Sequence, residues 1–328
     1  MVLKRVCAFL IALLASGLFI ASNAGAATLS SLPMDTCEPG PAPKDSAYLS
    51  ATEYQDESIT VKIYQDRYAN TDYIYAHIKI THPSQLRTAP ASMVEKSLRP
   101  ESVNFKYIAE TENRGRNIAS AANAVIAING DFFTKTDKCQ VVLRQSQQVR
   151  NAAEGYADVL VIDKNGDFSI LKQCTKADYK AYWTEHSQDM YNVLCFGPVL
   201  VENGKCVISR SYKNGYIGAE KGTQRSAIAQ LGPLEYMIIT CSSDQASNYA
   251  DKQQDKGMTI REFAKACEIA GKRLSENGCI LAYNLDGGNS ATLVFKLKDE
   301  KGNLVYSKYN PGQERTLSDI IYFATLVK

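Results

Sequence analysis

The chain has 328 residues, with 37 Lys and Arg against 35 Asp and Glu, three His and nine Cys. Near-neutrality argues against generic nucleic-acid binding, which rests on a cationic surface. Three histidines exclude a His-rich metal cluster, and the length suffices for a full core, as one large domain or two small ones.

The N-terminus places Lys4 and Arg5 before an apolar run over 6–21 and a small-residue site at Ala24-Gly25-Ala26. This pattern predicts a signal peptide over 1–26, with cleavage after Ala26 or, as second choice, after Ala24. The run is about 16 residues, short of the roughly 20 needed to span a bilayer. Removing it leaves 302 residues, 35 cations against 35 acids and eight cysteines. No other segment is apolar enough to span. The expected location is therefore secreted, periplasmic or in the cell envelope. An even cysteine count in an oxidising compartment predicts disulfides, but eight cysteines allow 105 connectivities and no pair is assigned.

Residues 27–57 read as a connector, Pro-rich over 32–44. Order is expected from 58. Ile59, Val61 and Ile63, then Ile74, Ala76, Ile78 and Ile80, alternate with polar neighbours and predict a strand hairpin connected through 66–72. A helix is expected over 112–122, capped by Thr111, followed by an apolar strand over 124–128 that ends at Asn129-Gly130-Asp131-Phe132-Phe133. Phe132 and Phe133 read as core more than as a sugar platform. Further hairpins are expected over 159–171 and around Asn203-Gly204, where Cys206 should face Val201. Another surrounds Gly232-Pro233. Thr259 and Glu262 form a capping box for a helix over 260–276, closed by a left-handed cap at Asn277-Gly278. A second apolar strand over 279–283 ends at Asn284-Leu285-Asp286-Gly287-Gly288-Asn289-Ser290. Strands over 292–297 and 320–327 close the chain. The expected fold is α+β, a single domain with a mixed, strand-rich sheet core and a few flanking helices.

Two loops carry the chemistry. Each puts Asn, Asp and Gly at the end of an apolar strand, where side chains leave the core and glycines let backbone amides approach a ligand. A partly buried acid there gains a raised pKa and can work as a proton donor or base. Taken alone, Asn-Gly and Asp-Gly-Gly are ordinary turn residues. Arg225 and Arg315 are the candidate phosphate grips, because a guanidinium holds phosphate oxygens by paired hydrogen bonds. Phosphate-loop, serine-hydrolase and zinc-protease motifs are absent from the sequence.

At these residues the sequence resembles the phosphodiester glycosidase family. Ala127-Ile128-Asn129-Gly130-Asp131-Phe132-Phe133 is similar to its A-x-N-G-x-F-F. Phe196-Gly197-Pro198-Val199-Leu200 is similar to its G-P-x-L block, and Thr223-Gln224-Arg225-Ser226-Ala227-Ile228-Ala229 to its P-R-T-A-I-G. Ala282-Tyr283-Asn284-Leu285-Asp286-Gly287-Gly288-Asn289-Ser290 resembles A-x-N-L-D-G-G-G-S, and Glu314-Arg315-Thr316-Leu317-Ser318-Asp319 resembles the C-terminal R-P-V-S-N. Gln224, Asn289 and Thr316 depart from the pattern. The match spans roughly 58–328, the expected catalytic domain.

The resemblance implies hydrolysis of a sugar-1-phosphodiester in an envelope or extracellular glycan. Asp286, Asp131 and Arg225 are the implied catalytic residues. Asn129, Gly130, Gly197, Asn284, Gly287, Gly288, Ser290 and Arg315 are the implied substrate contacts. The partner is then an anionic glycan or sugar phosphate, with no nucleic acid and no membrane span after signal removal. The sequence requires no cofactor; a divalent metal ion between Asp131 and Asp286 has no ligand spacing behind it, and metal ligands stay unknown. Two rival readings remain: a non-catalytic polysaccharide-binding envelope protein, and a disulfide-stabilised structural protein in which Arg225 and Asp286 lie far apart.

Overall fold

A computed structural model describes residues 29–94, 111–131, 141–151, 157–215, 217–243 and 256–328. The expected signal segment, Phe132, Phe133 and Cys139 lie outside these residues. The fold is α+β and rich in strands, as expected. Its largest sheet has nine strands in the order Tyr48–Ser50, Glu53–Gln55, Ile59–Tyr68, Thr71–Ile80, Glu235–Cys241, Arg225–Gly232, Leu281–Leu285, Val199–Glu202, Lys205–Cys206. A second sheet of five strands contains Val141–Arg144, and a third has Ile126–Asn129 at its centre between Leu293–Lys298 and Asp319–Phe323. The three sheets share one core. Val61, Ile78, Ile228, Ile238 and Tyr283 of the large sheet pack with Leu160 and Leu194 of the second, and with Ile126, Ile128, Phe295 and Ile321 of the third.

Helices cover the outer faces. Helix α1 (Gly115–Ala121) sets Ile118 and Ala119 on the third sheet. Helix α2 (Lys176–His186) lays Tyr179 on the second. Helix α3 (Ile260–Leu274) buries Phe263, Ala264, Cys267 and Ala270 against the large sheet. Thr259 and Glu262 form the expected capping box on α3, each satisfying a helix-end donor. The hairpins also follow their turn residues. Asn203 and Gly204 both have positive φ, and Val201 pairs with Cys206, as a two-residue turn dictates.

Several boundaries differ from the sequence reading. Helix α1 begins at Gly115, not at 112, and its N-cap is Arg114 without a side-chain cap. Asn113–Arg114 instead pairs with Thr316–Leu317, so strand pairing takes the residues that helix propensity claimed. The chain leaves α3 at Ser275, in extended conformation, so Gly278 serves the following turn and not the helix cap. Helix α2 went unanticipated because Tyr179 is its only buried residue, leaving no apolar stripe to read. The first hairpin turns at Ala69-Asn70, both with positive φ, and its strands are longer than expected.

Residues 48–55, placed in the connector by sequence, extend the large sheet at its edge. The Pro-rich stretch before them is anchored too. Arg87 is buried and donates to the carbonyls of Pro33, Thr36 and Glu38. The expected disulfides are not seen among the described residues. Cys37, Cys174, Cys206, Cys267 and Cys279 carry thiols, and burial pushes those of Cys37 and Cys279 up to about 12, which keeps them protonated and unreactive.

Candidate active site

The two loops that the sequence singles out come from different sheets and meet. Asn129, the last residue of its strand, donates through Nδ2 to the Asp286 carbonyl at 2.9 Å and to the Gly130 carbonyl at 3.0 Å. Its Oδ1 accepts from the Thr292 amide at 3.1 Å. Every polar atom of this buried amide is thereby used to splice the loops together, so Asn129 positions the site. The pocket they form is lined by Glu112, Asn129, Gly130, Asp131, Asp286, Ser290, Thr316, Leu317, Ser318 and Asp319.

Asp286 lines the pocket. Desolvation pushes its carboxyl up to about 6; Ser290, Arg315 and the Gly287 amide pull the other way, and the charge of Asp131 adds to the rise. The Gly287 amide donates to Asp286 Oδ1 at 2.9 Å. The result is an acid that changes ionisation within the range where enzymes work, with donors already aimed at its anion.

Asp131 has a different character. Its Oδ1 pairs with Arg144 Nη2 at 2.5 Å, and its Oδ2 accepts from the Cys195 amide at 2.8 Å. Arg144 also holds Asp319 Oδ2 through Nε at 2.8 Å, and donates to the carbonyls of Leu143 and Val193. All three side chains are almost wholly buried. Two carboxylates thus share one guanidinium. Burial and the charge of Asp131 raise the Asp319 carboxyl, although Arg144 pulls it down. Asp319 Oδ1 has no hydrogen-bond partner, and it lies so close under Gly130 that a Cβ there would sit 2.1 Å away. Glycine is therefore needed at 130 for close approach.

Arg225 lies beside the second loop but turns its charge away. Its Cδ is 3.8 Å from where a Gly287 Cβ would be. The guanidinium donates to the carbonyls of Met258 at 3.1 Å, Ile217 at 2.8 Å, Gly218 at 2.8 Å and Lys221 at 3.0 Å. Four of its five donors are committed, so the expected phosphate grip is not available to it in this arrangement. Burial lowers its pKa. The side chain instead closes the backbone around 217–221, whose carbonyls lack strand partners. Its stem still runs close to Gly287, contrary to the distant placement that the structural-protein reading required.

The remaining expected contacts shape the loop from below. Asn284 donates to the Gly197 carbonyl at 2.7 Å. The Gly288 amide donates to the Gln224 carbonyl at 2.8 Å, and a Cβ on Gly287 would meet that same carbonyl at 2.7 Å. Arg315 is exposed and acts electrostatically on Asp286. Arg144, Asp319, Glu112 and Thr316 are the site residues that sequence reasoning missed. The signal for the first two was available: each is a charge directly flanking an apolar strand, as Asp131 and Asp286 are. Among the described residues, no group of three or more His, Cys, Asp and Glu side chains is placed to hold a metal ion.

The family model for phosphodiester glycosidases matches residues 122–324. The chain belongs to the phosphodiester glycosidase family. The matched region contains both loops, Arg144, Arg225, Arg315 and Asp319. The zebrafish N-acetylglucosamine-1-phosphodiester alpha-N-acetylglucosaminidase, whose catalytic domain was solved auto-inhibited by its pro-peptide, has a similar fold. The TM-score is 0.56 at 13% identity, over 84% of this chain and 87% of that one. A hypothetical protein from Synechocystis aligns with TM-score 0.46 at 13% identity, over 84% of this chain and 64% of that one. A Burkholderia pseudomallei K96243 protein described as exported aligns with TM-score 0.42 at 11% identity, over 78% and 74%. No curated protein matches the sequence. No helix among the described residues is long and apolar enough to cross a membrane.

Proposed function

We propose that this family member is an exported hydrolase that cleaves the bond between a sugar's anomeric carbon and a phosphodiester in an envelope or extracellular glycan. The observation that carries the reading is the convergence of the two loops, which sets Asp286 in a pocket, its carboxyl raised to about 6, with the charge of Arg315 in reach. Family membership supports the reaction class, and the N-terminal signal pattern supports export.

In this reading the sugar docks over the mouth of the acidic pocket, whose enclosed space is about that of one water molecule. Ionised Asp286 acts at the anomeric carbon, either directly or by taking the proton of an attacking water. The C–O bond to phosphate breaks and its electron pair leaves with the phosphomonoester. That leaving group is stable as an anion, so it needs little help from an acid, in contrast to an ordinary sugar alcohol. Arg315 takes the electrostatic role assigned to Arg225 by sequence, because Arg225 is occupied by carbonyls. Asn129 and the Asp131–Arg144–Asp319 cluster hold the loops in register.

The test is incubation of the purified protein with sugar-1-phosphodiesters, following free reducing sugar and phosphomonoester. Release of both in equal amounts is the expected outcome. Saturable binding with no release would replace the hydrolase by the polysaccharide-binding reading. The configuration of the first-formed sugar then tells whether water or Asp286 attacks first.

A further inference from the structure

A second concave surface lies next to the acidic pocket. It is lined by Arg114, Arg116, Ser307, Lys308, Gly312, Gln313 and Glu314. Two of the chain segments that line the pocket run on into this groove. Glu112 lines the pocket, while Arg114 and Arg116 line the groove; Thr316 lines the pocket, while Gln313 and Glu314 line the groove. Thr316 and Arg114 are paired residues of one two-stranded ribbon. The ribbon is therefore the boundary between an acidic hole and a basic trough.

The trough's charge is not internally balanced. Its single carboxylate, Glu314, is used by Arg116, accepting from the Arg116 amide at 3.1 Å and pairing with Nε at 3.2 Å. Lys308 donates to the carbonyls of Asn310 at 2.9 Å and Pro311 at 2.7 Å, and the charge of Glu314, already paired with Arg116, acts on it from a distance. Burial of its ammonium lowers its pKa to about 8. A desolvated cation whose direct contacts are carbonyls, and whose nearest acid is shared with Arg116, gains from an anion brought to it. Arg114 is exposed at the other side of the trough. On a chain that is neutral after the expected signal is removed, these cations are gathered beside the ribbon that borders the acidic pocket. The lining contains no aromatic side chain, so it offers nothing for nucleobases to stack on.

We propose that this groove binds the leaving-group side of the substrate through Arg114 and Lys308, and that the substrate is a sugar-phosphate oligomer or polymer carrying a further phosphate beyond the scissile one. The inference rests on the hydrolase reading for what occupies the pocket. The groove itself is testable without turnover.

The experiment is calorimetric titration of the purified protein with tripolyphosphate, and with a thymidylate hexamer as comparator. Wild type is expected to bind tripolyphosphate more tightly than the hexamer. Arg114→Glu, at an exposed position, should weaken tripolyphosphate binding about tenfold or more, since a charge-assisted contact becomes a repulsion. Lys308→Met should weaken it as well, and Asp286→Asn should leave it in place. Equal binding by wild type and folded Arg114→Glu overturns the groove assignment, as does absence of binding. Tighter binding of the thymidylate hexamer that Arg114→Glu leaves unchanged overturns the ligand class, because the bases and not the phosphates would then be read. If Lys308→Met fails to fold, Arg114→Glu decides alone. Groove binding without hydrolysis of any sugar-1-phosphodiester would retain an anion site and remove the hydrolase; hydrolysis without groove binding would do the reverse.

Discussion

The loops after Ile126–Asn129 and Leu281–Leu285 share a context but no sequence repeat: each follows an apolar strand and carries Asn, Asp and Gly. The structure gives them different partners. Asp131 has both oxygens satisfied by Arg144 and the Cys195 amide and is buried. Asp286 sits at the pocket with its carboxyl raised to about 6. The difference is the guanidinium: one acid has a buried counter-ion, the other has amide and hydroxyl donors and a carboxyl raised toward neutrality. Matching motifs at strand ends thus need not share a role; the partners arriving from elsewhere in the chain decide it.

That contrast can be broken at its structural end first. Arg144→Met leaves Asp131 and Asp319 buried without a counter-ion, and is expected to cost about 3–5 kcal/mol of unfolding free energy in urea. Asp131→Asn keeps the Arg144–Asp319 pair and should cost less, about 1–3 kcal/mol. A loss from Arg144→Met no larger than that of an exposed substitution would mean the cluster is not architectural.

The pH dependence tests the other loop. If ionised Asp286 does the chemistry, turnover should fall by about tenfold per unit as pH drops below about 6, since a phosphodiester keeps its charge there. The stability contribution has the opposite sign. A carboxyl whose pKa is raised on folding binds its proton more tightly in the native state, so this contribution is fully present below the ordinary carboxylate pKa and is lost as pH rises through about 6. A turnover profile flat from pH 5 to 7 (roughly one unit either side of that value) would remove Asp286 from the rate-limiting step. The smallest effect expected is at a site remote from both loops. Thr259→Ala removes the α3 cap at about 1 kcal/mol and should leave turnover per folded molecule unchanged.

Local chemistry was legible in the sequence. The Thr259–Glu262 capping box, the Asn203-Gly204 turn and the two apolar strands each depend on neighbours a few residues apart. The site was only half legible, because its electrostatics are long-range. Arg144 and Asp319 are 175 positions apart in the chain, and no spacing rule joins them. The surroundings of Arg225 were hidden for the same reason: the carbonyls that occupy its guanidinium belong to 217–221, a turn segment, and to Met258, which bridges Thr223, and neither approach can be read locally. The start of α1 was lost to pairing between Asn113–Arg114 and Thr316–Leu317, also a distant partner.

The most direct test compares Asp286→Asn with Asp131→Asn on a sugar-1-phosphodiester that the wild type cleaves. The account predicts that folded Asp286→Asn loses about 10²–10⁴-fold in turnover with its stability kept, whereas Asp131→Asn loses stability first. Full turnover by Asp286→Asn would contradict it.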